Sequence, residues 1–405
     1  MIETTHLDNQ KISHYDIAVC VPTKNESLTI ANVVSIIDTG LKKYFAGLKS
    51  IIINIDSQSI DNTASTFLQT PTTSEKLSVT ADIENRTGKG INIYKFLNIA
   101  KDMSVKCGVV IDGDLESIEP EWIWELVQPI ISGESDFVAP LYSRHKYDAT
   151  ITNQLCFPII YAEWGEVVRQ PIGGEFSFSQ RYIVSALNDL DNRHTDGHQT
   201  TDAIDAFGID IFLTTHAIQN KFPLQQSYLG RKTHRFREIH TLKNMFLDVT
   251  TVLFHQIRQN RENISNRLQA QLQRVLTPKP TTAFEIDMTI DSEAISRHLL
   301  SEFSDLSSHA LDTYFRFTNT IDSEWASRHS GKALLSVDTA RWTAIIKLLI
   351  RDDLFSPSLS VSLQALYPLF LARIYDHFSN IKKLSYAESE SLLFDQALLL
   401  NENYH

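Results

Sequence analysis

Three short apolar runs constrain this chain more than anything else in it. Ile17-Ala18-Val19-Cys20-Val21-Pro22, Ile51-Ile52-Ile53-Asn54-Ile55 and Val109-Val110-Ile111 are continuous rather than alternating, and each gives way to a polar loop. A strand that is apolar on both sides has both faces covered, as in a parallel sheet flanked by helices. Helical stretches lie between the runs, one from about Leu28 with Ser27 as its candidate cap, another from about Ile91. Ligands of such sheets gather beyond the carboxyl ends of the strands. The loops after Pro22, Ile55 and Ile111 therefore share one edge.

That edge carries chemistry. Asp112-Gly113-Asp114 sets two carboxylates two residues apart at the end of a strand. Such oxygen ligands suit a hard divalent cation, Mg²⁺ or Mn²⁺, which reaches proteins through one or two carboxylates and substrate phosphates. A lone Asp-x-Asp is more often a solvated acidic turn, so its neighbours decide. Arg86-Thr87-Gly88-Lys89-Gly90 puts a lysine between glycines near a helix N-terminus, an arrangement suited to a diphosphate. It lacks the Gly-x-x-x-x-Gly-Lys-Ser/Thr spacing of a P-loop.

Composition removes several classes. A chain of 405 residues has room for two or three domains. Its net charge of −12 argues against nucleic-acid or anionic-membrane partners, which need a basic face. No run approaches the ~18 apolar residues of a membrane span. The first ten residues have neither a basic start nor an apolar run, so no signal peptide is expected. Cys20, Cys107 and Cys156 are far apart without ligand spacing and read as reduced core residues of a cytoplasmic protein.

Taken together, Val21-Pro22-Thr23-Lys24-Asn25-Glu26, Asp56-Ser57-Gln58-Ser59-Ile60-Asp61-Asn62-Thr63, Gly88-Lys89-Gly90 and Asp112-Gly113-Asp114 resemble the GT-A nucleotide-sugar glycosyltransferases. Gln170-Pro171-Ile172-Gly173-Gly174-Glu175-Phe176 is similar to the Gln-Pro-Leu-Gly-Gly-Glu motif shared by glucosyl-3-phosphoglycerate synthases and mannosylglycerate synthases. Gly208-Ile209-Asp210 and Lys232-Thr233-His234-Arg235 follow in that family's order.

The resemblance implies a GT-A, Rossmann-like nucleotide-sugar domain with a mainly parallel sheet over residues 1–240. A mostly α-helical C-terminal domain over 241–405 would follow. It implies a retaining hexosyltransferase that moves mannose or glucose from a nucleoside-diphosphate sugar to D-glycerate or a close relative. The cation would be held by Asp114 and His234. Donor contacts would come from Pro22, Thr23, Lys24, Glu26, Asp56, Lys89, Asp112, Gly113, Gly173 and Gly174. Glu175 and Asp210 would be catalytic, Glu175 at the donor hydroxyls and Asp210 at the reacting sugar or the acceptor. Arg144 and Thr152 would hold the small carboxylate acceptor, in the manner of mannosylglycerate synthases.

Glucosyl-3-phosphoglycerate synthases, with a phosphorylated acceptor, are the nearest alternative. They carry a glycine-rich stretch with Gly-Arg-Val-Thr where this chain has Arg144 to Thr152. They also place an Asn where this chain has Phe236, two residues after the metal histidine. A sugar-phosphate nucleotidylyltransferase would need glycines directly after the first strand, and Thr23-Lys24-Asn25-Glu26 has none. A non-catalytic sugar-nucleotide sensor is a third reading. In the C-terminal half, apolar residues recur at helical spacing from Asn244 through Gln273, and the Thr277–Thr282 run reads as a linker. Helices broken near Ser330-Gly331 and Ser356-Pro357 follow, with Trp342, Leu348, Leu349, Phe370, Leu371 and Tyr375 as core. Packing, a lid or a homo-oligomer interface are all open to this half.

Overall fold

The structure, a computed structural model, describes residues 14–81, 87–195, 200–233, 239–260, 292–328, 333–351 and 358–402. The chain forms two compact units. The first is Met1–Ser143 with Gln170–Glu238, the second Arg144–Arg169 with Ile239–His405. The break at 238/239 lies beside the boundary expected at residue 240. The grouping of 144–169 with the C-terminal helices has no counterpart in that expectation.

In chain order the first unit runs β1 (Ile17–Thr23), α1 (Ile30–Phe45), β2 (Ser50–Asp56), α2 (Thr63–Gln69), β3 (Glu75–Thr80) and α3 (Lys89–Asp102). It continues with β4 (Cys107–Val110), α4 (Glu121–Ile131) and β5 (Phe137–Ser143). The chain then contributes to the second unit a π-helical turn, Thr152–Cys156, leading into α5 (Phe157–Trp164). It returns as β6 (Phe176–Ser179), α6 (Gln180–Thr195), α7 (Thr201–Ala203), a second π-helical turn (Ile204–Gly208), α8 (Ile209–Gln219) and β7 (Leu224–Arg231).

Among the described residues seven strands form one sheet in the order β3-β2-β1-β4-β6-β5-β7. All neighbours are parallel except β6, which runs antiparallel between β4 and β5. The central register sets Val19 beside both Ile52 and Val109. Ile17, Val19 and Val21 point into the core with α1 and α4, where Val33, Ile37, Ile123 and Val127 meet them. Ala18 and Cys20, on the opposite face, are equally buried. Burial on both faces is why the strand reads as an unbroken apolar run.

Two expected details differ. Ser27 does not cap α1, which begins at Ile30; the Ser27 N–H donates to Asp61 instead, and Leu28 is exposed. The loops after β1 and β2 are sewn together, and that stitching claims the serine. α3 begins at Lys89, ahead of the expected Ile91, because Gly88 rather than a side-chain cap opens it.

The second unit continues with α9 (Ile239–Asn260), α10 (Ser292–Ser304), α11 (Ser308–Ile321), α12 (Ser323–Ser327), α13 (Thr339–Arg351), α14 (Leu359–Ile381) and α15 (Tyr386–Asn401). Trp342, Leu349, Phe370 and Leu371 are buried, while Leu348 and Tyr375 are half-buried. The far end of the expected 244–273 helix, the 277–282 linker and the breaks at 330–331 and 356–357 lie outside the described residues. Among the described residues no helix is long and apolar enough to cross a membrane.

Candidate active site

Five side chains of the first unit form a series of alternating charge beyond the carboxyl ends of the central strands. The Lys89 ammonium lies 3.0 Å from Asp112 Oδ1 and 3.0 Å from Asp210 Oδ2. Asp112 Oδ2 lies 3.3 Å from Lys232 Nζ. Lys232 in turn donates to the Gly173 carbonyl at 2.7 Å and to the Glu175 oxygens at 2.9 and 2.6 Å. The Tyr142 hydroxyl donates to Glu175 Oε2. Asp210, Lys89, Asp112, Lys232 and Glu175 thus alternate in charge, three carboxyls around two ammoniums.

Local structure explains each position. The Ile111 N–H donates to the Cys20 carbonyl, so strand-like pairing persists up to Asp112. The Thr29 hydroxyl donates to the Gly113 carbonyl at 2.7 Å and anchors the acidic turn to the start of α1. Lys89 is the first residue of α3, where unpaired backbone N–H groups favour anions. Asp210 is the second residue of α8. The π-helical turn before it breaks at Ala206 (φ −100°, ψ −129°) and re-aims the chain. This turn lies directly on α3: a Cβ at Gly90 would stand 1.8 Å from the Ile204 carbonyl oxygen. Gly174 has φ +94°, and a Cβ there would come within 2.4 Å of Asp112 Oδ2. Only glycine brings backbone that close to the acid.

Burial governs the electrostatics. Loss of water pushes the Glu175 carboxyl up to about 7, despite its ion pair with Lys232. Burial likewise raises Asp210, partly opposed by Lys89. For Lys89 burial alone would lower the ammonium, but Asp112, Asp210 and Glu175 overturn this and hold it above its ordinary value. Asp210 Oδ1 is buried and has no hydrogen-bond partner among the described residues.

The other donor-side residues form a scaffold around this series. Asp56 accepts from Thr23 Oγ1 (2.8 Å), Ser59 N (2.7 Å) and Ser59 Oγ (2.6 Å), which fixes the β2 loop against β1. Pro22 is buried and Lys24 exposed. The Glu26 N–H donates to Thr63 Oγ1.

Asp114 is buried two residues beyond Asp112. The turn after it is tied to the end of β7: Glu116 N–H donates to the Thr233 carbonyl (3.1 Å), and Thr233 N–H to Ser117 Oγ (2.8 Å). His234 lies outside the described residues. Among the described residues, no group of three His, Cys, Asp or Glu side chains is arranged to hold a metal. The carboxylate pair itself has the hard-oxygen chemistry that Mg²⁺ or Mn²⁺ takes.

Arg144 and Thr152 belong to the second unit. Arg144 Nε lies 3.3 Å from Asp148 Oδ2, and Thr152 opens the π-helical turn, buried. Sequence reasoning missed Lys232 and Tyr142. Lys232 opens the Lys232-Thr233-His234-Arg235 stretch but was given no role of its own there; nothing local marked Tyr142.

The first unit is an α/β domain: a mainly parallel sheet whose strand ends present an acidic turn and a helix-borne lysine. Residues 18–183, about two fifths of the chain, match the family model described as Glycosyl transferase family 2. Similar solved structures include glucosyl-3-phosphoglycerate synthase from Mycobacterium tuberculosis in complex with Mn²⁺ and UDP-glucose. It is 23% identical with a TM-score of 0.48, covering 60% of this chain and 79% of that one. The same enzyme in complex with phosphoglyceric acid gives 23% identity and a TM-score of 0.47, covering 60% and 80%. No curated protein sequence matches significantly.

Proposed function

We propose that this chain is a metal-dependent, retaining hexosyltransferase that moves mannose or glucose from a nucleoside diphosphate to D-glycerate or a close relative. The observation that carries the reading is the Asp210–Lys89–Asp112–Lys232–Glu175 series, built in the unit that carries the glycosyltransferase family match.

In this reading Mg²⁺ or Mn²⁺ is held by Asp114 and His234. When bound, the cation offsets charge growing on the leaving diphosphate. The tie between Thr233 and Glu116–Ser117 supports this, because the chain next to His234 is fastened beside the acidic turn. Lys89 at its helix N-terminus meets the phosphates. Pro22 to Glu26, Asp56, Asp112 and Gly113 frame the nucleotide. Lys232 and Tyr142 hold Glu175 where, with the Gly173-Gly174 backbone, it orients hydroxyls of the donor sugar. The unpartnered Asp210 Oδ1 accepts a further hydroxyl. None of these residues serves as a nucleophile in this scheme. The acceptor hydroxyl attacks from the leaving-group face and its proton passes to the departing phosphate oxygen, which retains configuration. Arg144 offers a planar fork to the acceptor carboxylate, and Thr152 a hydroxyl.

The test is a donor-by-acceptor matrix with Mg²⁺ or Mn²⁺. GDP-mannose, GDP-glucose and UDP-glucose are each assayed with D-glycerate and 3-phosphoglycerate, and the products identified. Transfer to D-glycerate is expected. Turnover with 3-phosphoglycerate alone moves the assignment to the phosphorylated acceptor. Asp114→Ala and His234→Ala should each abolish metal-dependent turnover, and full activity in either defeats the metal assignment. Arg144→Ala should mainly raise the acceptor KM.

A further inference from the structure

Residues 144–169 are gripped along their length by helices of their own unit. At the start, the Lys146 ammonium donates to the carbonyls of Ile381 (3.0 Å), Lys382 (3.2 Å) and Leu384 (2.8 Å), capping the C-terminus of α14. The Tyr147 ring meets Phe378 of α14 edge-on at 5.1 Å. At the end, Arg169 forms a two-pronged pair with Glu390 of α15 at 3.0 and 2.8 Å.

The middle grip is the tightest. Gln154 lies in the π-helical turn that Thr152 opens. Such a widened turn releases backbone carbonyls from the regular ladder. The Gln154 carbonyl accepts from Trp342 Nε1 of α13 (2.7 Å) and Gln396 Nε2 of α15 (3.3 Å). Its side-chain Oε1 accepts from Arg373 Nε of α14 at 2.9 Å. Arg373 Nη2 donates onward to Gln396 Oε1 at 3.0 Å. All four residues are at most 3% exposed. Three helices far along the chain thus converge on one glutamine two residues from Thr152.

We propose that the helical unit is the scaffold of the acceptor segment, and that Gln154 is the positioning residue through which α13, α14 and α15 set Thr152 and the Arg144 loop. A second link closes that loop: Asn153 Nδ2 donates to the Asp148 carbonyl, and Asp148 is the partner of Arg144. The proposal rests on the assignment of Arg144 and Thr152 to the acceptor.

The test separates acceptor from donor kinetics in the full-length protein. Gln154→Met keeps the shape and the backbone carbonyl but removes Oε1. It should raise the KM for D-glycerate about tenfold, the change that one lost hydrogen bond corresponds to. The donor KM and the rate of donor hydrolysis without acceptor should stay within about twofold. Gln154→Glu should restore the acceptor KM, because it keeps an acceptor opposite Arg373 and gives up only Nε2, which makes no hydrogen bond among the described residues. If Gln154→Met does not fold, Lys146→Met at the other grip decides by the same split. An unchanged acceptor KM, or a donor KM that rises in parallel, overturns the scaffold role. Arg144→Ala, measured alongside, separates the two failures. If it raises the acceptor KM while Gln154→Met and Lys146→Met do not, only the scaffold is lost. If it changes nothing, the acceptor assignment and the scaffold fall together.

Discussion

Glu175 retains its proton far more tightly than an exposed glutamate, because burial removes more solvation than Lys232 replaces. Its folded value of about 7 lies above the ordinary 4.5. A carboxyl raised in this way stabilises the fold fully below the ordinary value, and that contribution is lost as pH rises through about 7. Glu175→Gln should therefore gain stability relative to the parent between those limits, on the order of 3 kcal/mol, and then level off. Urea unfolding at stepped pH measures this, and a flat difference refutes it. The same substitution should remove any limb near pH 7 from the kcat/KM profile. Lys232→Met should cost roughly 3–5 kcal/mol, since it leaves Glu175 in the interior without its cation, while Asp112 keeps Lys89. Adding Glu175→Gln should recover part of the loss, measured as a shift in denaturation midpoint. Lys89, Asp112, Glu175 and Asp210, each singled out from a short motif, are brought together in one charge series. Lys232 and Tyr142 act through Glu175 across sequence separations of 57 and 33 residues, which no local pattern records.

At the level of elements, β1, β2 and β4 were read from their apolar runs, while β5, equally buried but broken by Pro140, was not. β6 was not, because its four residues include two serines, one donating its hydroxyl to the Leu126 carbonyl. β3 was missed for the opposite reason: its residues are half-exposed or exposed, so no apolar run forms. The π-helical turn at Ile204–Gly208 has no distinct periodicity either, yet it joins the lysine helix to the helix bearing Asp210. Gly90→Ala tests that joint. Its new methyl would collide with a backbone carbonyl, which cannot rotate away as a side chain can. A loss of at least about 2 kcal/mol is expected, with a fall in kcat as the Lys89–Asp210 pair separates. Thermal unfolding and steady-state rates check both, and an unchanged kcat would detach the joint from catalysis.

For the whole molecule, the change of texture near residue 240 lies beside the unit break at 238/239, whereas the membership of 144–169 had no sequence signal. Nothing in that segment's composition points to helices two hundred residues away. The three cysteines fared better: all are buried and free, in β1, β4 and the first π-helical turn. A thiol reagent should find none of them in the native protein and all three after denaturation; reaction before unfolding would contradict their burial. The chain, finally, passes between its units three times, at 143/144, 169/170 and 238/239. No single cut yields two intact halves. A product ending at 240 keeps Phe157 and Tyr161 but lacks Ala397 and Phe394, against which they pack. Grafting the helices of a relative onto this protein would consequently require transplanting both stretches as a linked pair, and chimaeras that exchange one alone should precipitate.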